Sequence, residues 1–180
     1  MAESTRNLST HAGTRRKVRI ERNRPSNPRL GGYVIDVANG LALVHQFDDF
    51  QPDGYAIIRE RDVVSVRQGE HEAFWDRMLE NEGLLGGLDA APKLDLSGMA
   101  AAIAIAAARY PFLAIQCEDE DEDIQDFYFA KVMSITETHV DVRCVDGLGR
   151  WEEPDPVPLE DVTLVEMGTP YLTRFGKYVR

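Results

Sequence analysis

The stretch Arg61-Asp62-Val63-Val64-Ser65-Val66-Arg67-Gln68-Gly69 returns 99 residues later as Glu160-Asp161-Val162-Thr163-Leu164-Val165-Glu166-Met167-Gly168. Both copies read acidic residue, Val, two residues, Val, two residues, Gly. An aromatic amphipathic run follows each: Phe74, Trp75, Met78 and Leu79 after the first, Tyr171, Leu172, Phe175 and Tyr178 after the second. A pattern repeated at this distance implies one structural unit used twice.

Outward from the first copy, the spacing predicts a strand over 16–22, where charge alternates with Val18 and Ile20. Asn39-Gly40 between the apolar runs 32–38 and 41–47 is a type I′ hairpin signal, because both central residues need positive φ. A strand over 55–60 and a short one over 62–67 complete the set. A helix over 70–81 is expected to bury Phe74, Trp75, Met78 and Leu79 on one face. Ser97 is placed to cap an Ala-rich helix over 99–109, whose small side chains suit close packing between two halves. The second half repeats the scheme. A strand is expected over 112–117, a hairpin over 126–145, a Pro-rich connection over 147–158, a strand over 161–166 and a closing helix over 170–179 with Pro170 in its first turn.

Short, mostly antiparallel strands in this order resemble SH3-like or Sm-like small barrels, over roughly residues 16–69 and 111–168. The resemblance implies a mainly β chain with helices (α+β). Two tandem five-stranded barrels are expected, each followed by a helix, with the Ala-rich helix between them. The expected organisation is a mobile basic tail over 1–15, a first repeat over 16–82, a linker over 83–96 and a second unit over 97–180. The Sm RNA-reading signatures, Asp and Asn in one loop and Arg-Gly in another, are incomplete here: the corresponding loops read Ala38-Asn39-Gly40, Thr136-Glu137-Thr138, Glu60-Arg61-Asp62 and Leu159-Glu160-Asp161.

Charge divides the chain. Residues 1–30 hold eight Lys/Arg against two acids; the remaining 150 hold twelve against twenty-nine. An acidic body repels phosphate, which disfavours broad nucleic-acid or anionic-lipid contact. Arg15, Arg16, Lys17, Arg19, Arg22 and Arg24 form a basic arm that suits an anionic partner, or that folds back onto the acidic body. The run Glu118, Asp119, Glu120, Asp121, Glu122, Asp123 is a solvated loop or a contact for a basic partner, and lacks the spacing of a calcium loop. Cys117 and Cys144 alternate with apolar residues and read as core. His11, His45, His71 and His139 match no metal or catalytic spacing.

No nucleophile elbow, Walker loop or dinucleotide fingerprint is present, so no catalytic residue, cofactor or metal is expected. The longest apolar run, 99–108, is too short to span a bilayer, and the two spaced cysteines fit a cytoplasmic setting with reduced thiols. The expected function is a non-enzymatic protein-interaction module whose acidic body covers another protein, in one version an inhibitor or immunity-type protein for a basic partner. The alternatives are nucleic-acid binding through the arm, and an enzyme with a site between the repeats using Asp36 or Asp141 turned inward.

Overall fold

The computed structural model describes residues 3–5, 7–118 and 125–180. Eleven strands among them form one continuous antiparallel sheet: β1 (Glu3–Thr5), β2 (Val18–Arg22), β3 (Arg29–Ala38), β4 (Leu41–Asp48), β5 (Gln51–Arg59), β6 (Val63–Gln68), β7 (Leu113–Glu118), β8 (Gln125–Ile135), β9 (His139–Val145), β10 (Trp151–Pro158) and β11 (Leu164–Met167). The helices are few and short: α1 (Glu70–Asn81), α2 (Gly86–Asp89), α3 (Met99–Arg109) and α4 (Pro170–Phe175).

The strand order is β1-β6-β2-β3-β4-β5-β11-β7-β8-β9-β10. Two separate barrels are therefore the wrong architecture. The last strand of the second half, β11, lies between β5 of the first half and β7 of its own, pairing Val165 with both Ile57 and Ile115. Each half does carry the same internal order, β6-β2-β3-β4-β5 and β11-β7-β8-β9-β10. The repeated sequence encodes that shared order, while the β5–β11 ladder fuses the halves into one sheet.

The reason lies in which faces are apolar. In β4, Leu41 and Leu43 enter one core while Ala42 and Val44 enter another. In β5, Tyr55 and Ile57 divide from Ala56 and Ile58 in the same way. A strand apolar on both faces cannot sit at a wet edge, so β5 needs a neighbour and covers on both sides. Gly54 allows the close approach: its φ is +72°, and a Cβ there would lie 2.4 Å from the Met167 carbonyl oxygen.

The main core lies under α3, which packs Met99, Ala102, Ile103 and Ala106 against residues from both halves. Its other side is wet, with Ile105 exposed, so it is an amphipathic wedge and not a helix buried all round. Gly98 is its N-cap and no side chain caps the helix; the Ser97 amide donates to Asp95 Oδ1. On the first half's other face Leu8, Val18, Ile20, Val44 and Val66 form a second core, so the segment around Leu8 is packed. In α1, Leu79 is fully buried while Phe74 is exposed, so the expected four-residue apolar face is divided. Residues 151–158, expected as a connection, form β10. Pro154, Pro156 and Pro158 are tolerated because β10 is the sheet edge and pairs only with β9.

A buried polar seam crosses the junction. Arg22 Nη2 lies 2.6 Å from Glu118 Oε2, with both side chains essentially inaccessible. Thr163 Oγ1 donates to the same oxygen, and the Asn27 amide donates to Oε1. Gln46 and Gln116 donate one bond to each oxygen of Glu166. A buried ion pair is held by such supplementary bonds, and removing one partner strands the other charge. We expect Glu118→Ala to lose about 3–5 kcal/mol of stability. The double change Arg22→Met with Glu118→Leu should recover most of it. Urea unfolding of the three proteins tests this, and equal midpoints would show the seam to be energetically idle.

Candidate interaction face

The sequence-predicted charges are dispersed by the fold. Arg15 ion-pairs with Asp89 at 2.6 Å on the surface, and Arg16 is exposed. Arg22 and Arg24 turn inward: Arg22 meets Glu118, and Arg24 meets Asp62 at 2.6 Å and the Glu118 carbonyl at 2.9 Å. Two members of the basic arm and the first member of the acidic run are thus bound to one another. Asp119, Glu120, Asp121, Glu122 and Asp123 lie outside the described residues. Lys17 and Arg19 line a groove of about 550 Å³ with Arg29, Arg67, Phe47 and Trp75.

His45 and the two thiols read as packing; His71 is exposed, and His139 meets the Thr136 and Thr138 hydroxyls. His45 is buried, holds the Gly54 carbonyl at 2.7 Å through Nδ1, and stacks on Tyr55. Burial lowers its pKa, partly offset by that backbone bond. Gly87 makes room for it, since a Cβ there would sit 2.2 Å from Nε2. Cys117 and Cys144 are free thiols pushed by burial to about 12 and about 11, which removes thiolate reactivity near neutrality. Asp36 is exposed and accepts from the Val37 amide; Asp141 bonds Ser134. Asp53 is raised to about 6 by burial, then by Glu166 and Asp48. Among the described residues, no group of three or more His, Cys, Asp or Glu is placed to hold a metal ion, and no helix is long and apolar enough to cross a membrane.

The most open apolar surface belongs to α4 and the turn after it. Thr169 caps α4 by accepting from the Leu172 amide at 3.1 Å, and Pro170 starts the helix. Leu172 points down onto Ala114, Phe129 and Val145. The opposite side stays uncovered: Tyr171 is 53% exposed, Tyr178 76% and, from β8, Phe127 50%. These rings are contiguous. Tyr171 stacks parallel on Phe175 at 5.8 Å and lies 6.3 Å from Phe127. Tyr171, Arg174, Phe175 and Tyr178 line one shallow depression, and an apolar cavity of about 240 Å³ between Tyr110, Phe112 and Lys177 adjoins the helix. In the sequence the second aromatic run reads as amphipathic, which by itself does not say which rings stay outside. Arg174, Lys177 and Arg180 interleave with the rings; Leu172 is buried, and Phe175 and Val179 pack beside it, while Tyr171 and Tyr178 stay outside.

No protein-family model, curated protein or solved structure matches the chain.

Lys17 carries a strongly disfavoured charge in the first half. It is 5% exposed, its Nζ has no hydrogen-bond partner, and the rings of Phe47, Trp75 and Tyr33 lie 4.9, 5.2 and 5.9 Å away. Burial lowers its pKa from 10.5 to about 8, against the pull of Asp76, Glu72 and Asp49. The folded state therefore binds the proton less tightly than the unfolded chain. Between pH 8 and 10.5 the unfolded chain holds more protons, and this group's contribution to stability rises with pH. Below pH 8 the full cost applies, on the order of 3 kcal/mol at most. We expect Lys17→Met to be more stable than the parent at pH 7, by about 1–3 kcal/mol, with the gap closing by pH 10. Urea midpoints of both proteins across that range check the sign.

Proposed function

We propose that the chain is a non-enzymatic protein-interaction module that docks a partner protein on the α4 face. The observation that carries this is the aromatic surface of exposed Phe127, Tyr171 and Tyr178 with half-buried Phe175, beside Arg174. Exposed apolar patches of this kind mark interaction sites. Tyr and Arg are the residues that concentrate binding energy at the centre of interfaces. Tyr171 packs between Phe127 and Phe175, which reduces the side-chain entropy it loses on docking.

The formal net charge of −11 acts at longer range. It favours approach of a basic partner and disfavours nucleic acid. Arg22 and Arg24, committed to Glu118 and Asp62, add support for a protein over a phosphate backbone. Arg174 within the face suits a carboxylate on the partner's contact segment.

A photo-crosslinking residue at Tyr178 should join a single protein in the source cells, while the same residue at Thr10 should not. Tyr171→Glu should abolish the Tyr178 adduct, and should weaken the purified pair by at least tenfold in calorimetry, about 1.4 kcal/mol. Identical adducts from both positions, or none from either, would overturn the reading. Retention of a labelled oligothymidylate lost in Tyr171→Glu would replace the protein partner with single-stranded nucleic acid.

A further inference from the structure

We propose that the first half holds a separate small-molecule site: the groove between β2, β3, β4 and α1 binds an organic anion, its acid oxygens held by Lys17 and Arg19 and its apolar part lying along Phe47 and Trp75. The ligand chemistry is a carboxylate or phosphate carried on a small hydrophobic group.

The sheet register builds the cationic end. Arg19 on β2 lies directly opposite Arg67 on β6. Like charges in that position repel and need an anion between or beside them. Glu72 answers Arg67, accepting bonds of 3.1 Å from Nε and 2.7 Å from Nη2. Arg19 makes no ion pair among the described residues, and Lys17 Nζ has no acceptor. Two cations along one groove thus have no acceptor at hydrogen-bond distance, although Asp76, Glu72 and Asp49 act on Lys17 from farther away. A buried charge left without a partner is costly, and such groups concentrate at functional sites.

The rest of the groove fits the remainder of such a ligand. Arg19 pairs with Gly31 on β3, which follows Leu30 and leads across to Phe47 and the turn acids Asp48 and Asp49. The anionic end is placed on the β2 side at Arg19, since Asp49 lies near enough to act on Lys17. Gly31 forms the floor: a Cβ there would be 3.6 Å from both Lys17 Nζ and the Phe47 carbonyl oxygen. Its φ lies outside the left-handed region, so the absent side chain leaves space without serving the backbone. The volume, about 550 Å³, lies within the range of small-ligand pockets.

Lys17 Nζ is sealed in this state, and the seal has a movable part. Tyr33 and Phe47 are buried core residues, whereas Trp75 is only partly buried and lies tilted against exposed Phe50 at 4.4 Å. Turning the Trp75 indole outward uncovers the ammonium. The backbone at Lys17 stays fixed meanwhile, because its amide donates to both oxygens of Asp76, at 2.9 and 3.2 Å. Asp76 also accepts from the Tyr33 hydroxyl at 2.7 Å, so α1 remains docked while the ring moves.

The test uses the full chain carrying Trp151→Phe, which leaves Trp75 as its one tryptophan. Phenyl phosphate and benzoate are titrated against Trp75 emission, with benzyl alcohol and benzyltrimethylammonium as neutral and cationic comparators. At least one anion should give a saturable change and the comparators should not; which anion binds tighter separates phosphate from carboxylate. Arg19→Gln should weaken binding at least tenfold, and Gly31→Val, which fills the floor, should abolish it. If Gly31→Val fails to fold, Arg19→Gln alone decides. Equal affinity in Arg19→Gln, an equal response to benzyl alcohol, or no response to either anion would each overturn the proposal.

Discussion

The β5–β11 ladder is the contact on which this molecule depends. Leu164, Val165, Glu166 and Met167 pair with Ile58, Ile57, Ala56 and Tyr55, and through β7 carry the sheet into the second half. Without that strand, β5 would show an edge with apolar residues on both faces, and the two cores would open together. Backbone pairing alone does not specify register, because a slip of one residue would exchange the faces. The polar seam fixes it. Glu166 must sit between Gln46 and Gln116, and Glu118 must reach Arg22 and Thr163. A slip would strand buried charge, at a cost that hydrophobic pairing could not offset.

That dependence explains why the sequence disclosed the parts more readily than the whole. The Asn39-Gly40 hairpin is local, and the structure has it, with φ of +51° at Asn39 and +78° at Gly40. The shared strand order of the halves is likewise written in the repeated acid-Val-Val-Gly pattern. Whether two such units close separately or share a ladder is a long-range choice, set by Ala56 and Ile58 being as apolar as Tyr55 and Ile57. A continuous apolar run reads equally well as a strand of a small closed unit or as the middle of a larger sheet. Trp151–Pro158 was hidden for a different reason. Three prolines read as irregular chain until the strand is known to be an edge with one neighbour.

Charge was legible in amount and not in placement. Arg22 and Glu118 are 96 positions apart, and nothing in their local pattern links them. Once paired they leave both the basic arm and the acidic run, so composition overstated the charge either could offer a partner. Lys17 shows the converse. In the sequence it is one of six basic residues; in the fold it is the one whose ammonium meets three rings and no acceptor. Its distinction depends on α1 crossing over β2, a contact that strand periodicity does not contain.

The halves differ most at the helix after the repeated strand, and the difference has a physical origin. In the first half that helix has twelve residues and is pinned by Asp76 to the Lys17 amide and the Tyr33 hydroxyl, with Leu79 fully buried. Its tryptophan is thereby drawn over a charged groove. In the second half the helix has six residues, one buried side chain, and a cap supplied by its own Thr169. Its side is tied to the sheet by apolar contact instead: Phe175 meets buried Phe129 edge-on at 5.0 Å, and Tyr171 stacks on Phe175 and faces outward. The same strand order thus supports an inward-facing ring beside cations in one half and an outward-facing aromatic surface in the other. A polar pin at the position of Asp76 separates the two outcomes. In the second copy, counted from Gly168 as Asp76 is from Gly69, that position is Phe175, which holds its helix by ring contact with buried Phe129 and has no group to anchor it by hydrogen bonds.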